Sequence, residues 1–264
     1  MGGRGGQSGF QKARMPQPQK PQQLDGTQRI TDPQELLKFF QQADNAQADA
    51  MLQQWRNEPL DADNRQQDTD VQRFFNYIGW TNDTPTVLNE QQYQQALQAA
   101  GNPTQFYHSD NPHGGTGARQ FAAQYMGLNT DFAGNAYRQY MSGGIHGDGT
   151  YFATSAADSA WYGKSQFRGF LNGNAKVISE RSLDSQMAAF EKAHPAFSHV
   201  LDQMTSGYGK SGGYRDGLRS VFAAMLGYNV IDASYHNGYH TVLNRKATTV
   251  SSKTKRASIN MKNW

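Results

Sequence analysis

The sequence predicts a mixed α+β fold in which a helical region precedes a β-rich domain. Three observations carry that expectation. Apolar residues recur at helical spacing through residues 31–101. After Gly101, short β-branched and aromatic runs take over. Gly-rich stretches separate these runs too irregularly for a regular βαβ succession. The 264 residues suffice for one large domain, or a main domain with a smaller partner. Only 36% are hydrophobic, yet 14 Phe, 13 Tyr and 4 Trp supply large apolar surfaces for a core.

Residues 1–30 open with Gly2, Gly3, Gly5 and Gly6 and continue with Pro16, Pro18 and Pro21 among Gln and Lys. Such a segment cannot bury enough apolar area to order itself, so a disordered basic arm is expected. The first helix is predicted from Asp32-Pro33, where Asp32 caps and Pro33 suits the first helical position; Leu36, Leu37, Phe39 and Phe40 form its apolar face. A second helix is predicted near 46–55, closed by Glu58-Pro59. A third spans 70–77, with Val71, Phe74 and Phe75, and a fourth spans 89–100, capped by Asn89 and ended by Gly101. Residues 31–101 therefore read as a helical subdomain.

Strands are predicted at 104–107, 149–154, 175–179, 229–233 and 239–243, with a last one near 248–250. Helices are predicted between them at 118–126, 156–162, 183–193 and 218–226, and a flexible loop at 206–217. The domain ends near residue 250, leaving 251–264 as a basic C-terminal tail.

Composition excludes several classes of chemistry. With no Cys there is no disulfide framework, thiolate nucleophile or Cys-ligated zinc. No run approaches the ~18–20 apolar residues that cross a bilayer, so no membrane partner is expected. No apolar segment follows Met1, so no classical secretory signal is expected. His194 and His199 flank Pro195, and His236 and His240 flank Asn237-Gly238; neither pair has metal-ligand spacing, and no metal site is predicted. Lys210-Ser211 stands in only half of a phosphate-loop pattern.

The net charge of +3 is unevenly placed. Residues 1–30 carry +4 and residues 246–264 carry +5, which leaves about −6 for the body. Basic tails of this kind contact phosphate or acidic protein surfaces through nonspecific electrostatics, or merely solubilise the chain.

The most informative stretch is Gly147-Asp148-Gly149-Thr150-Tyr151-Phe152-Ala153, followed by Ser159-Ala160-Trp161-Tyr162. A Gly-x-Gly turn lets backbone approach a ligand closely, and Tyr151 then projects a ring from a strand. Tyr162 falls on the next helix after a reversal suited to bringing the two rings face to face. Such a slot would hold a flat cationic heteroaromatic, with stacking and cation–π attraction worth about 1–2 kcal/mol. Ser159, one helical turn before Tyr162, would point into the same slot. The alternative is that both tyrosines are ordinary half-buried residues.

These residues resemble the central motif of the ADP-ribosyltransferases of the diphtheria-toxin and poly(ADP-ribose) polymerase branch. Phe106-Tyr107-His108-Ser109 is similar to that branch's upstream strand, with Ser109 in place of the usual Gly. The order Gly143 to Tyr151, then Ala175-Lys176-Val177-Ile178, Gly227 to Asp232 and Val242-Leu243-Asn244-Arg245 resembles a bacterial and phage-encoded group, over roughly residues 103–250. The resemblance implies an ADP-ribosyltransferase-like split β-sandwich core at 102–250 with the helical region before it. It implies NAD as co-substrate, its nicotinamide between Tyr151 and Tyr162. The Ser159 hydroxyl and the Ser109 backbone would hold the carboxamide, Gly149 would lie against the ligand, and His108 would bond the adenosine ribose. Loss of nicotinamide would leave an oxocarbenium-like ribose for a macromolecular acceptor, a host protein or nucleic acid. Catalysis would come mainly from holding NAD strained and aligned.

The pattern departs from the family at its third element, a carboxylate heading a late strand. Counting back from Val242 places that position at Tyr239, and a register slip would make it Gly238 or His240. None is Glu or Gln, which argues against polymer elongation and for single-unit transfer. Tyr239 and His240 are thus candidate catalytic residues beside His108 and Tyr151, although strand alternation turns only one of the two inward. Asn237 is a further ribose partner to consider. Tyr208, Tyr214 and Arg215 of the 206–217 loop are either contacts for a target or for NAD phosphates, or filler. The expected function is mono-ADP-ribosylation by a phage or bacterial effector acting in the host cytoplasm. The alternative is an inactive structural or interaction protein, such as a virion component, that keeps the fold.

Overall fold

A computed structural model describes residues 28–59, 69–109, 125–126, 147–160, 165–205, 214–253 and 255–256. Residues 1–27 of the expected arm, most of the C-terminal tail, the predicted helix at 118–126 apart from its last two residues, and Tyr162 lie outside them; the arm's last residues are ordered, with Arg29 paired to Glu58 and Ile30 buried in the core.

Local capping chemistry starts each N-terminal helix. Asp32 accepts from the Gln34 N–H at the head of α1 (Pro33–Phe40). Asp44 and Gln47 bond each other's backbone at the head of α2 (Asn45–Arg56). Thr69 caps α3 (Asp70–Tyr77), and Asn89 with Gln92 caps α4 (Glu90–Ala99). Gly101, at φ 79°, follows α4 in the left-handed conformation that suits glycine. The stretch expected as purely helical also contributes β1 (Thr86–Leu88), a strand the sequence reading missed.

The remaining elements follow as β2 (Gln105–Ser109), β3 (Thr150–Ala153), α5 (Ala156–Ala160), β4 (Ser165–Leu171), β5 (Val177–Ser179), α6 (Glu180–Ala193), α7 (Pro195–Gln203), α8 (Tyr214–Met225), β6 (Val230–Asp232), α9 (Ser234–Asn237), β7 (Tyr239–Val242), β8 (Thr248–Ser251) and β9 (Lys255–Arg256). The fold class is thus mixed α and β. Helix α7 was not foreseen; its first residue is Pro195, whose fixed φ suits the first helical position. Helix α8 begins at Tyr214, so the helix predicted from residue 218 starts earlier and residues 214–217 of the predicted loop belong to it.

The strands join in one mixed sheet ordered β1-β8-β4-β2-β3-β7-β6-β5, with β9 beside β4. Strand β1 is parallel to β8 and β5 is parallel to β6; the other pairings are antiparallel. The sheet narrows in the middle. Strand β2 pairs with β4 through all five residues and β3 pairs with β7 through all four, yet β2 meets β3 only at Tyr107↔Ala153.

One apolar cluster runs from Ile30 to Val250 and includes residues from both the helices and the sheet. Its aromatic centre is Trp55, edge-on to Phe74 at 5.0 Å and to Phe40 at 6.0 Å. Phe40 in turn meets Phe197, and Phe197 meets Phe222, tying α1 to α7 and α8. Asp70 anchors the same region by accepting from Arg56 on α2 and from Thr205 after α7. No helix among the described residues is long and apolar enough to cross a membrane.

Candidate functional site

The narrow joint between β2 and β3 gathers most of the residues singled out from the sequence. Beyond the single bridge, His108 and Ser109 on β2 run beside Phe152 and Tyr151 on β3 without continuing the ladder. Side chains connect the strands there instead. His108 Nδ1 lies 2.8 Å from the Tyr151 carbonyl oxygen, in the place of a ladder hydrogen bond. A carbonyl only accepts, so Nδ1 carries the proton. Ser109 and Ser159, both buried, share a hydroxyl–hydroxyl bond of 2.7 Å that ties β2 to α5.

Register divides the candidates between the two sides of the sheet. Tyr151 pairs with Thr241 on β7, and Tyr239 lies two residues away on the same side. The two phenol rings meet edge to face, with centroids 6.5 Å apart and planes at 65°. The Tyr151 hydroxyl donates to the Gly147 carbonyl at 2.7 Å. On the other side, Phe152 pairs with His240, and its ring meets His108 at 5.6 Å. The structure therefore brings Tyr151 and Tyr239 together and sends His240 to the core side beside Phe152. Burial lowers the His240 pKa, opposed by the Asp232 carboxylate across the strand pair, and its buried Nδ1 has no hydrogen-bond partner.

The glycines of the motif serve contacts within the protein. A Cβ on Gly149 would lie 2.7 Å from Thr241 Cγ2 and 2.8 Å from the Val242 carbonyl oxygen, so the close approach belongs to β7. Gly147 has φ 101°, a conformation that side chains rarely adopt. Helix α8 holds the same turn: Ser220 donates to the Asp148 carbonyl at 2.7 Å, and the Asp148 N–H donates to the Gly217 carbonyl at 3.3 Å.

Three carboxylates of the β-rich half have structural partners. Glu180 and Asp216 both pair with Arg219, and Asp232 accepts from the Ser234 N–H ahead of Gly238. Sequence reasoning missed Arg219 and Ser220, which lie some seventy residues from the motif that they serve, and no local pattern marks them. His199 bonds Asp49 at 2.9 Å. Among the described residues, no group of His, Asp or Glu side chains is arranged to hold a metal ion. The pairing of Tyr151 with Tyr162 lies outside the described residues, as do Trp161 and residues 206–213.

No protein-family model, curated protein or solved structure matches this chain.

Proposed function

We propose that the chain is an NAD-dependent mono-ADP-ribosyltransferase that modifies a macromolecular target, acting as a phage or bacterial effector. The observation that carries the reading is the joint itself. A sheet that narrows to one bridge has His108 and Ser109 on one bank, Tyr151 on the other, and Tyr239 at the head of the next strand. The narrowing supports the transferase-like reading. The donor set fits NAD in part: the Tyr151 ring offers a stacking face and the Ser109–Ser159 pair offers hydroxyls for a carboxamide, whereas the His108 ring lies with Phe152 on the other side of the sheet. When bound, NAD supplies an N-glycosidic bond whose cleavage transfers ADP-ribose. The protein's part is to orient and desolvate it.

The binding-module reading rests on one specific observation. The first residue of β7 is Tyr239 rather than a carboxylate, and Glu180, Asp216 and Asp232 are committed elsewhere. Two measurements separate the readings. Purified protein should release nicotinamide from NAD and label a host lysate with tagged NAD, and Tyr151→Ala should abolish both while the fold survives. Tyr239→Glu should raise nicotinamide release about tenfold or more, the lower range for a positioned charged group. NAD binding without release in either protein would favour the binding module; no binding at all would overturn the NAD reading.

A further inference from the structure

Helix α8 touches both ring-bearing segments of the joint without contributing a ring to it. On one side, Ser220 and Gly217 hold the Asp148 backbone, next to the Gly147 carbonyl that accepts from the Tyr151 hydroxyl. On the other side the connection runs through Arg219, the residue before Ser220. Its guanidinium contacts Glu180 at 2.9 Å, Asp184 at 2.5 Å and Asp216 at 3.0 Å. The Asp184 contact is two-pronged, through Nε and Nη2. The Tyr235 ring packs against the guanidinium of Arg181, the residue after Glu180 in α6, at 4.9 Å, and partial desolvation together with the Glu180 carboxylate raises the Tyr235 pKa. Tyr235 belongs to α9, the single turn that delivers the chain through left-handed Gly238 into Tyr239.

We propose that Arg219 is a positioning residue. Through Ser220 and Asp148 it sets the orientation of the Tyr151 ring, and through Glu180 and Tyr235 it sets the approach of Tyr239.

The physical reason is geometric. A planar fork can satisfy several carboxylates at once, whereas an ammonium is a point charge and cannot span them. Glu180 is buried, so weakening its partner leaves a poorly compensated buried charge that must move. Movement of Glu180 releases Tyr235, and a tilt of α8 displaces Asp148.

The inference deepens the transferase reading and rests on it for its kinetic consequences. Its structural content can be read without NAD. In protein carrying 3-fluorotyrosine, with resonances assigned by Tyr→Phe exchange, Ser220→Ala should shift the Tyr151 resonance and leave Tyr239 in place. Tyr235→Phe should do the reverse, and Arg219→Lys should shift both. In nicotinamide release, Ser220→Ala should raise the KM for NAD about threefold to tenfold with kcat kept, a loss matching one hydrogen bond. Tyr235→Phe should lower kcat at constant KM, and Arg219→Lys should show both defects. Unchanged Tyr151 and Tyr239 resonances in folded Arg219→Lys protein would overturn the proposal. Shifted resonances in a protein that never binds NAD would uphold the positioning network and overturn only the transferase reading.

Discussion

The helical layer around Trp55 and the joint between β2 and β3 are built on opposite principles. Around Trp55, edge-to-face aromatic contacts from α1, α2, α3 and α7 close a core with no exposed ring. At the joint, one backbone bridge is supplemented by a histidine–carbonyl bond and a pair of serines, with rings of Tyr151 and Tyr239 only partly covered. Apolar packing is non-directional and adds up over many contacts, so it suits stability. Directional polar links across an incomplete ladder leave polar atoms at defined positions, which suits recognition. Apolar packing thus dominates around Trp55, and directional polar links dominate at the joint.

The largest expected effect tests that contrast directly. Trp55→Ala should lower unfolding free energy in urea by about 3–5 kcal/mol, the usual cost of truncating a buried tryptophan. The NAD affinity of the fraction still folded should not change; a parallel loss of affinity would break the comparison. Gly149→Ala comes next. The new methyl would strike Thr241 and Val242, which places its cost at about 1–3 kcal/mol in the same urea titration. Unlike Trp55→Ala, it should push β3 from β7 and alter the fluorescence or NMR signature of Tyr151 and Tyr239. A purely thermodynamic effect would blur the distinction between the two regions.

The smallest effect concerns pH. His240 has a lowered pKa in the fold, so the unfolded chain binds more protons as pH falls below the ordinary histidine value. The neutral ring's contribution is therefore complete above that value and declines as pH drops toward the folded pKa. Urea midpoints measured at several pH values should fall less steeply for His240→Gln than for the natural protein. Equal slopes would mean that the buried imidazole does not sense the core side of the joint.

Much of the framework was legible from local chemistry. Asp32-Pro33 and Asn89 with Gly101 announced helix ends because caps act within one turn. Strands β6 and β7 showed themselves as short β-branched or aromatic runs. Strand β4, near the middle of the sheet, did not, because Arg168 and Gly169 interrupt its pattern. Arg168 is buried where it pairs with Glu90 and packs over the Tyr93 ring at 5.2 Å. Gly169 is required because the Phe106 ring and the Thr249 carbonyl fill the space of a Cβ. Both reasons lie far away in sequence. In the candidate site, His108, Ser109, Tyr151 and Ser159 were found as motif residues, but the side of the sheet that each of Tyr239 and His240 faces needed the β3–β7 register.

By itself, then, the order of residues determined where the capped N-terminal helices begin, which of the later runs, β4 apart, become strands, and which stretch carries the unusual Gly-Asp-Gly-Thr-Tyr motif. Those outcomes depend on contacts within a few residues. Tertiary structure alone decided that β2 and β3 share a single bridge, that Tyr239 rather than His240 stands beside Tyr151, and that Arg219 ties α8 to Glu180 and Asp184 of α6. Each depends on strands or helices that meet across long loops. Their pairing reflects the burial of the whole core, which no local window contains.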